Sequence, residues 1–186
     1  YLTFDEAKRY LSAQYPYTYY DFAHYNSKRQ FGVAVYSRYP LVNKQTIRYE
    51  SVANISNRCD ILVGTDTIRL FNNHLESNRF VSDDLTLSES EFNSDGLKKS
   101  VLMLVRKMKN AYQFRAAEVR MVREAIDQSP YPVIVVGDMN DVPVSFTYHT
   151  LSQGLQDAFL KSSIGKAGHT FVTRFWGVRI DYIFVD

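Results

Sequence analysis

The stretch VIVVGDMND at 133–141 constrains this chain more than any other. Four β-branched apolar residues in a row predict a fully buried strand. Gly137 then permits a sharp turn, leaving Asp138 and Asn140 at the strand's open end. A carboxylate and a carboxamide two residues apart converge on one small anion or one water. One takes a proton while the other holds an oxygen in place. Open α/β sheets do their chemistry just beyond strand ends, so the segment reads as a hydrolytic site. Taken alone, it fits an ordinary Asp/Asn turn equally well.

At 186 residues the chain fits a single domain, residues 1–186, with a substantial core. A net charge of +2 does not announce a nucleic-acid binder. Aromatic residues make up 15%, mostly Tyr and Phe, which suits a β-rich core with amphipathic edges. Cys59 is the single cysteine, so no intrachain disulfide forms and the compartment stays undecided. No apolar run approaches the roughly 20 residues needed to cross a bilayer, and the first residues lack a signal-peptide pattern. The expectation is a soluble globular piece of unknown localisation.

Residues 3–13 have Phe4, Ala7, Tyr10 and Leu11 at helical spacing, with Thr3 as N-cap, Glu6 three residues on, and Pro16 as the stop. A buried strand is predicted at 31–37, further strands at 42–49 and 60–63, and a GTDT turn at 64–67 leading into a strand at 68–73. The polar, acidic stretch 77–96 reads as a long loop or lid. A helix follows over 97–127, its apolar stripe formed by Val101, Leu104, Val105, Met108, Tyr112, Val119, Val122 and Ile126. Lys98, Lys99, Arg106, Lys107, Lys109, Arg115, Arg120 and Arg123 occupy its other faces, read mainly as a solvated exterior. Its length predicts a break near Asn110. Ser145 caps a short helix to Leu151, and short strands at 157–159, 169–172 and 179–185 finish the chain.

Three places share one form, an apolar strand ending in functional side chains: Asp138 with Asn140; Asn73, His74 and Glu76; and Asp181. Each alone has a bland structural reading. Together they supply an acid, a base and an orienting carboxylate. His74-Leu-Glu76 matches half of a zinc-deaminase motif, but one cysteine cannot complete it. There is no G-x-S-x-G, Walker loop or G-x-G-x-x-G. Cys59 reads as buried filler, and His24 and His149 read as structural. His169, in GHTF, falls near a strand terminus and is not assigned a role.

These residues in this order resemble the endonuclease/exonuclease/phosphatase superfamily, the fold of pancreatic deoxyribonuclease, exonuclease III and the neutral sphingomyelinases. The matching pieces are FGVAVYSRYP (31–40), NNHLES (72–77), VIVVGDMNDVP (133–143), GHTF (168–171) and RIDYIFV (179–185). The resemblance implies an α/β (α+β) fold: a four-layer α/β/β/α sandwich with two mostly antiparallel sheets, incomplete at both termini. It implies metal-dependent phosphoester hydrolysis with Mg2+ or Mn2+. His74 would contact the phosphate or protonate the leaving group. Asp138 would activate the attacking water or help bind the metal, and Asn140 would hold a phosphate oxygen. Asp181 would orient a second histidine through its ring N–H. The substrate is a phosphoester of a nucleic acid, a phospholipid headgroup or a small molecule. Relatives in this style imply a bacterial parent attached to a membrane.

The family's early Asn strand and its metal-binding Glu have no counterpart in residues 1–15, and its closing Ser-Asp-His step has none before Asp186. The resemblance therefore implies an internal fragment, nearly inactive by itself, since losing one general acid or base costs about 10²–10⁴ in rate. Exposed sheet edges predict self-association. The rival reading is a non-catalytic binding domain on the same sandwich.

Overall fold

The computed structural model describes residues 3–26, 29–51, 54–78, 94–163, 168–172 and 176–186. Its centre is a six-stranded sheet ordered β3-β4-β5-β6-β10-β7. The strands are β3 (Leu41–Arg48), β4 (Ile55–Val63), β5 (Asp66–His74), β6 (Val133–Asp138), β7 (Gln156–Asp157) and β10 (Asp181–Val185). β5 and β6 pair in parallel; the other neighbours run antiparallel. A parallel pair needs a crossover, supplied here by the chain between them, which includes α2 (Ser94–Asp127).

One face of the sheet packs against α2 and α3 (Phe146–Leu151). Phe71, Val133, Val135, Tyr182 and Phe184 meet Val119, Val122, Ile126 and Leu151 there, all buried. On the other face lies the hairpin of β1 (Tyr17–Asn26) and β2 (Arg29–Ser37), with Val35, Leu41, Cys59 and Leu70 between the sheets. Outside that hairpin, Phe4 of α1 (Phe4–Leu11) packs its ring on Tyr20 and Phe22. Helix, sheet, sheet and helix therefore stack in four layers. Thr3 and Glu6 form a reciprocal capping box at the start of α1. Ser145 caps α3 as its sequence implies.

Several elements differ from the sequence expectation. β1 was not foreseen. It is aromatic on both faces, because Tyr19 packs inward while Tyr20 and Phe22 meet Phe4, and no period-2 contrast survives. β2 is buried on one face only: Val33, Val35 and Ser37 are covered, whereas Gly32 and Ala34 on the opposite face are exposed. Helix α2 is unbroken at Asn110 and starts at Ser94; asparagine is a weak helix former, not a breaker. Of its forecast stripe, Val119, Val122 and Ile126 are buried while Val105 and Tyr112 face solvent. The side chains of Val101 and Leu104, and residues 79–93 of the forecast loop, lie outside the described residues.

Phe159 is helical rather than extended. Asp157 ends β7 and caps α4 (Ala158–Ser162), its carboxylate accepting from the amides of Phe159 and Leu160. A small hairpin pairs β8 (Phe171–Val172) with β9 (Gly177–Val178). The β3 edge carries an irregularity between Val42 and Gln45, where Asn43 has a φ of 49°. Such a bulge twists an edge strand and works against pairing with another copy.

Candidate active site

Three strand ends meet at one margin of the central sheet. In the parallel pair His74 lies opposite Asp138, and in the antiparallel pair Asp181 lies opposite the same residue. Directly opposed residues share a face. The alternation from Leu70 to His74 and from Ile134 to Asp138 puts that face toward the β1–β2 hairpin. Residues 107 positions apart in sequence, His74 and Asp181, thus flank one carboxylate (181 − 74 = 107).

The loop after β6 fixes Asn140. Its φ of 51° is in the left-handed region that Asn tolerates. Its amide donates to Asp138 Oδ1 at 2.8 Å, and its carboxamide Nδ2 donates to the Leu75 carbonyl at 2.9 Å. The Leu75 amide donates back to the Asp138 carbonyl at 3.0 Å, and the Met139 amide to the Ile180 carbonyl at 2.8 Å. The loop is laced to β5 on one side and to the start of β10 on the other. Thr170 Oγ1 secures that start by accepting from the amides of Ile180 and Asp181 at 3.0 and 3.1 Å.

Burial pushes the Asp138 carboxyl above its ordinary range, and the neighbouring Asp181 pushes it the same way. The Asn140 amide, His74 and Arg115 oppose the rise. Asp181 itself is exposed and borders a cavity of about 700 Å³ lined by Val136, Phe159, His169, Arg179 and Ile183. His169 therefore sits near the site, exposed, rather than in the core. His149 is exposed on α3 and takes no part, and the His24 side chain lies outside the described residues.

Gly137 does not turn the chain; β6 continues through it to Asp138. Its φ of 134° and its closeness to the neighbouring strand explain the residue. A Cβ here would lie 1.9 Å from the Asn73 carbonyl oxygen. Asn73 and Glu76 leave the constellation expected from sequence. Asn73 is buried on the helix side, donating to the Val136 carbonyl at 3.0 Å. Glu76 is 5% exposed and accepts from Asn54 Nδ2.

Beneath the site is an ionic cluster that sequence reading missed. Arg115, placed by sequence on a solvated face, is 0% exposed. Its Nε donates to Asp141 Oδ2 at 3.1 Å, one terminal nitrogen to the Glu76 carbonyl, and the other to Asn78 Oδ1 at 3.1 Å. It clamps the loop after β5 to the loop after β6. The signal was its spacing: Ala111, Arg115, Val119, Val122 and Ile126 all lie on the buried stripe. Glu118, also buried, accepts from Ser51 Oγ and from the Glu76 amide, each at 2.7 Å.

Burial raises the Glu118 carboxyl above its ordinary 4.5, and the like charge of Glu76 adds to this. Ser51, the Glu76 amide and Arg115 pull it down. A carboxyl raised on folding gives stability that is complete below 4.5 and is lost as pH rises through the folded value. Urea midpoints measured from about pH 4.5 upward are therefore expected to fall less in Glu118→Gln than in the parent chain. Parallel pH profiles would contradict this.

Asp138 and Asp181 supply two oxygen-donor carboxylates at one point. Hard divalent cations are usually held by one or two carboxylates plus waters and substrate phosphate. No group of three or more His, Cys, Asp or Glu side chains suited to a metal occurs among the described residues. The pair fits a weakly held hard cation and not a full protein cage.

The model of the Endonuclease/Exonuclease/phosphatase family matches residues 2–186, and the chain belongs to that family. No curated protein sequence matches it. Among solved structures it is similar to a humanized D. rerio TDP2 carrying 14 mutations, at 16% identity and a TM-score of 0.62, over 95% of this chain and 64% of that one. It is similar to the human Nocturnin catalytic domain with bound sulfate, at 17% and 0.60, over 98% and 64%. It is similar to sphingomyelinase C from Streptomyces griseocarneus, at 16% and 0.63, over 97% and 65%. The chain thus spans just under two thirds of each of these structures. At such identities the likeness establishes the fold.

Proposed function

We propose that this chain is the core of a phosphoester hydrolase, with His74, Asp138, Asn140 and Asp181 as its reacting group and Mg2+ or Mn2+ as its cation. The observation that carries the reading is the register of β5, β6 and β10, which sets His74, Asp138 and Asp181 side by side. Asp138, raised by burial, is the better proton acceptor for an attacking water. Its Oδ1 is held by the Asn140 amide, so the carboxylate is aimed before substrate arrives. Asn140 spends one N–H on Leu75 and keeps the second for a phosphate oxygen.

His74, one strand over, contacts the phosphate or protonates the departing oxygen. Asp181 would orient a histidine or, with Asp138, would hold the cation. A bound divalent ion supplies Lewis-acid polarisation of the phosphoryl oxygens. The sulfate bound in the Nocturnin structure is a tetrahedral oxyanion of phosphate's shape and supports an oxyanion ligand in this fold. Nucleic acid, phospholipid headgroup and small phosphate ester all fit this chemistry, and a parent attached to a membrane is compatible with it.

Two carboxylates, with no third ligand beside them among the described residues, predict feeble turnover. Hydrolysis of bis-p-nitrophenyl phosphate with Mg2+ or Mn2+ is expected to be barely above the buffer rate. What there is should fall to background in Asp138→Ala and in His74→Ala. Vigorous turnover overturns the expected weakness. Turnover that survives both substitutions overturns the assigned site.

A further inference from the structure

We propose that the N-terminal half of α2 docks the domain on an anionic lipid bilayer. The helix has 34 residues, about 50 Å of length. Among its described side chains, those that reach the core begin at Ala111: Ala111, Arg115, Val119, Val122 and Ile126. Before Ala111 no side chain among the described residues is buried. Leu102, Met103 and Val105 are instead 58%, 53% and 53% exposed. Leu102 and Val105, one turn apart, form an exposed apolar pair, with Met103 on the flank of the helix.

Beyond Asp95 the charge on this half has one sign. From Leu97 to Ala117 the basic residues are Lys98, Lys99, Arg106, Lys107, Lys109 and Arg115, with no Asp or Glu among them. Arg115 is committed to the interior; the others precede the core contact. Leu102, Val105, Arg106 and Lys109, at i, i+3, i+4 and i+7, share one exposed side of the helix. The apolar pair and the basic pair therefore adjoin on one surface.

That mixture discriminates between anionic partners. Phosphates of a nucleic acid use the cations and leave the aliphatic groups idle. A bilayer interface takes both. Leu, Met and Val enter the headgroup–acyl boundary by about 5–10 Å, while Lys and Arg stretch along their stems to anionic headgroups. No described helix is long and apolar enough to cross a membrane, so α2 would lie on the surface. The inference does not rest on the hydrolytic reading.

The test is co-sedimentation of the 186-residue chain with vesicles of phosphatidylcholine alone or of equal parts phosphatidylcholine and phosphatidylglycerol. Binding is expected to the mixed vesicles only, and to weaken at high salt. Leu102→Ser with Val105→Ser, and separately Arg106→Glu with Lys109→Glu, should each lower the bound fraction about tenfold while the melting temperature holds. His74→Ala should bind as the parent does, which separates docking from catalysis. Equal binding to both vesicle types, or wild-type binding by either double variant, overturns the proposal. So does capture of a DNA oligonucleotide in place of vesicles. Lipid-free dimers abolished by Leu102→Ser with Val105→Ser would make the patch a contact between copies, which also overturns it.

Discussion

Gly137→Ala is expected to break the pairing of β5 with β6, and with it the site. The added Cβ would lie 1.9 Å from the Asn73 carbonyl oxygen and 2.8 Å from Asn73 C and N. All three are backbone atoms in a parallel pair held by neighbours on both sides, so no side chain can swing away. The φ of 134° adds strain for any residue with a Cβ. Clashes of this kind belong to the rare substitutions costing about 4 kcal/mol or more. For a chain of this size that is a melting temperature roughly 10 °C lower, or no folded protein. Thermal unfolding followed by circular dichroism measures it. A variant melting within about 3 °C of the parent would show that the strands separate freely here.

Arg115→Met carries the second large effect. The guanidinium is fully buried, and its removal leaves the Asp141 carboxylate and the Glu76 carbonyl without their strongest donor. Thr147 Oγ1 and the Val142 amide still serve Asp141, at 2.9 and 3.1 Å, and soften the loss. Breaking one partner of a buried pair costs about 3–5 kcal/mol. Arg115→Lys keeps the charge but not the three-way fork, and should fall between parent and Met variant. Arg115→Met also frees the loops that follow His74 and Asp138 from their common anchor. Residual hydrolysis should drop even at temperatures where the variant stays folded. A Met variant with the parent's urea midpoint would contradict the clamp.

Much of this was readable from residue types. A strand motif ending in Asp138 and Asn140, a second ending in His74 and a third opening on Asp181 each declared their own elements. Strand-end chemistry is local, and local sequence encodes it. What brings them together is not local. The opposition of Asp138 to both His74 and Asp181 depends on a parallel pairing across α2 and an antiparallel one across α3 and α4. No periodicity within a strand specifies its neighbour.

Arg115 was misread for a related reason. A charged side chain on a helix is normally solvated, and only its spacing with Val119 and Val122 gave it away. Glu76 failed in the opposite direction. It follows His74 in a site-like motif, yet the chain after β5 turns it inward to Asn54. Aromatic residues on both faces hid β1 altogether.

The central claim is that His74, Asp138, Asn140 and Asp181 form one site. Titration with Mn2+, read as paramagnetic broadening of backbone amide resonances, tests it most directly, because a weakly held ion still broadens its neighbours. Resonances of residues 74–75, 138–140 and 181 should broaden first, together, and at the same Mn2+ concentration. In Asp138→Ala that broadening should be lost while the remaining spectrum is unchanged. Broadening that begins elsewhere, or persists around Asp181 and His74 without Asp138, would contradict the account.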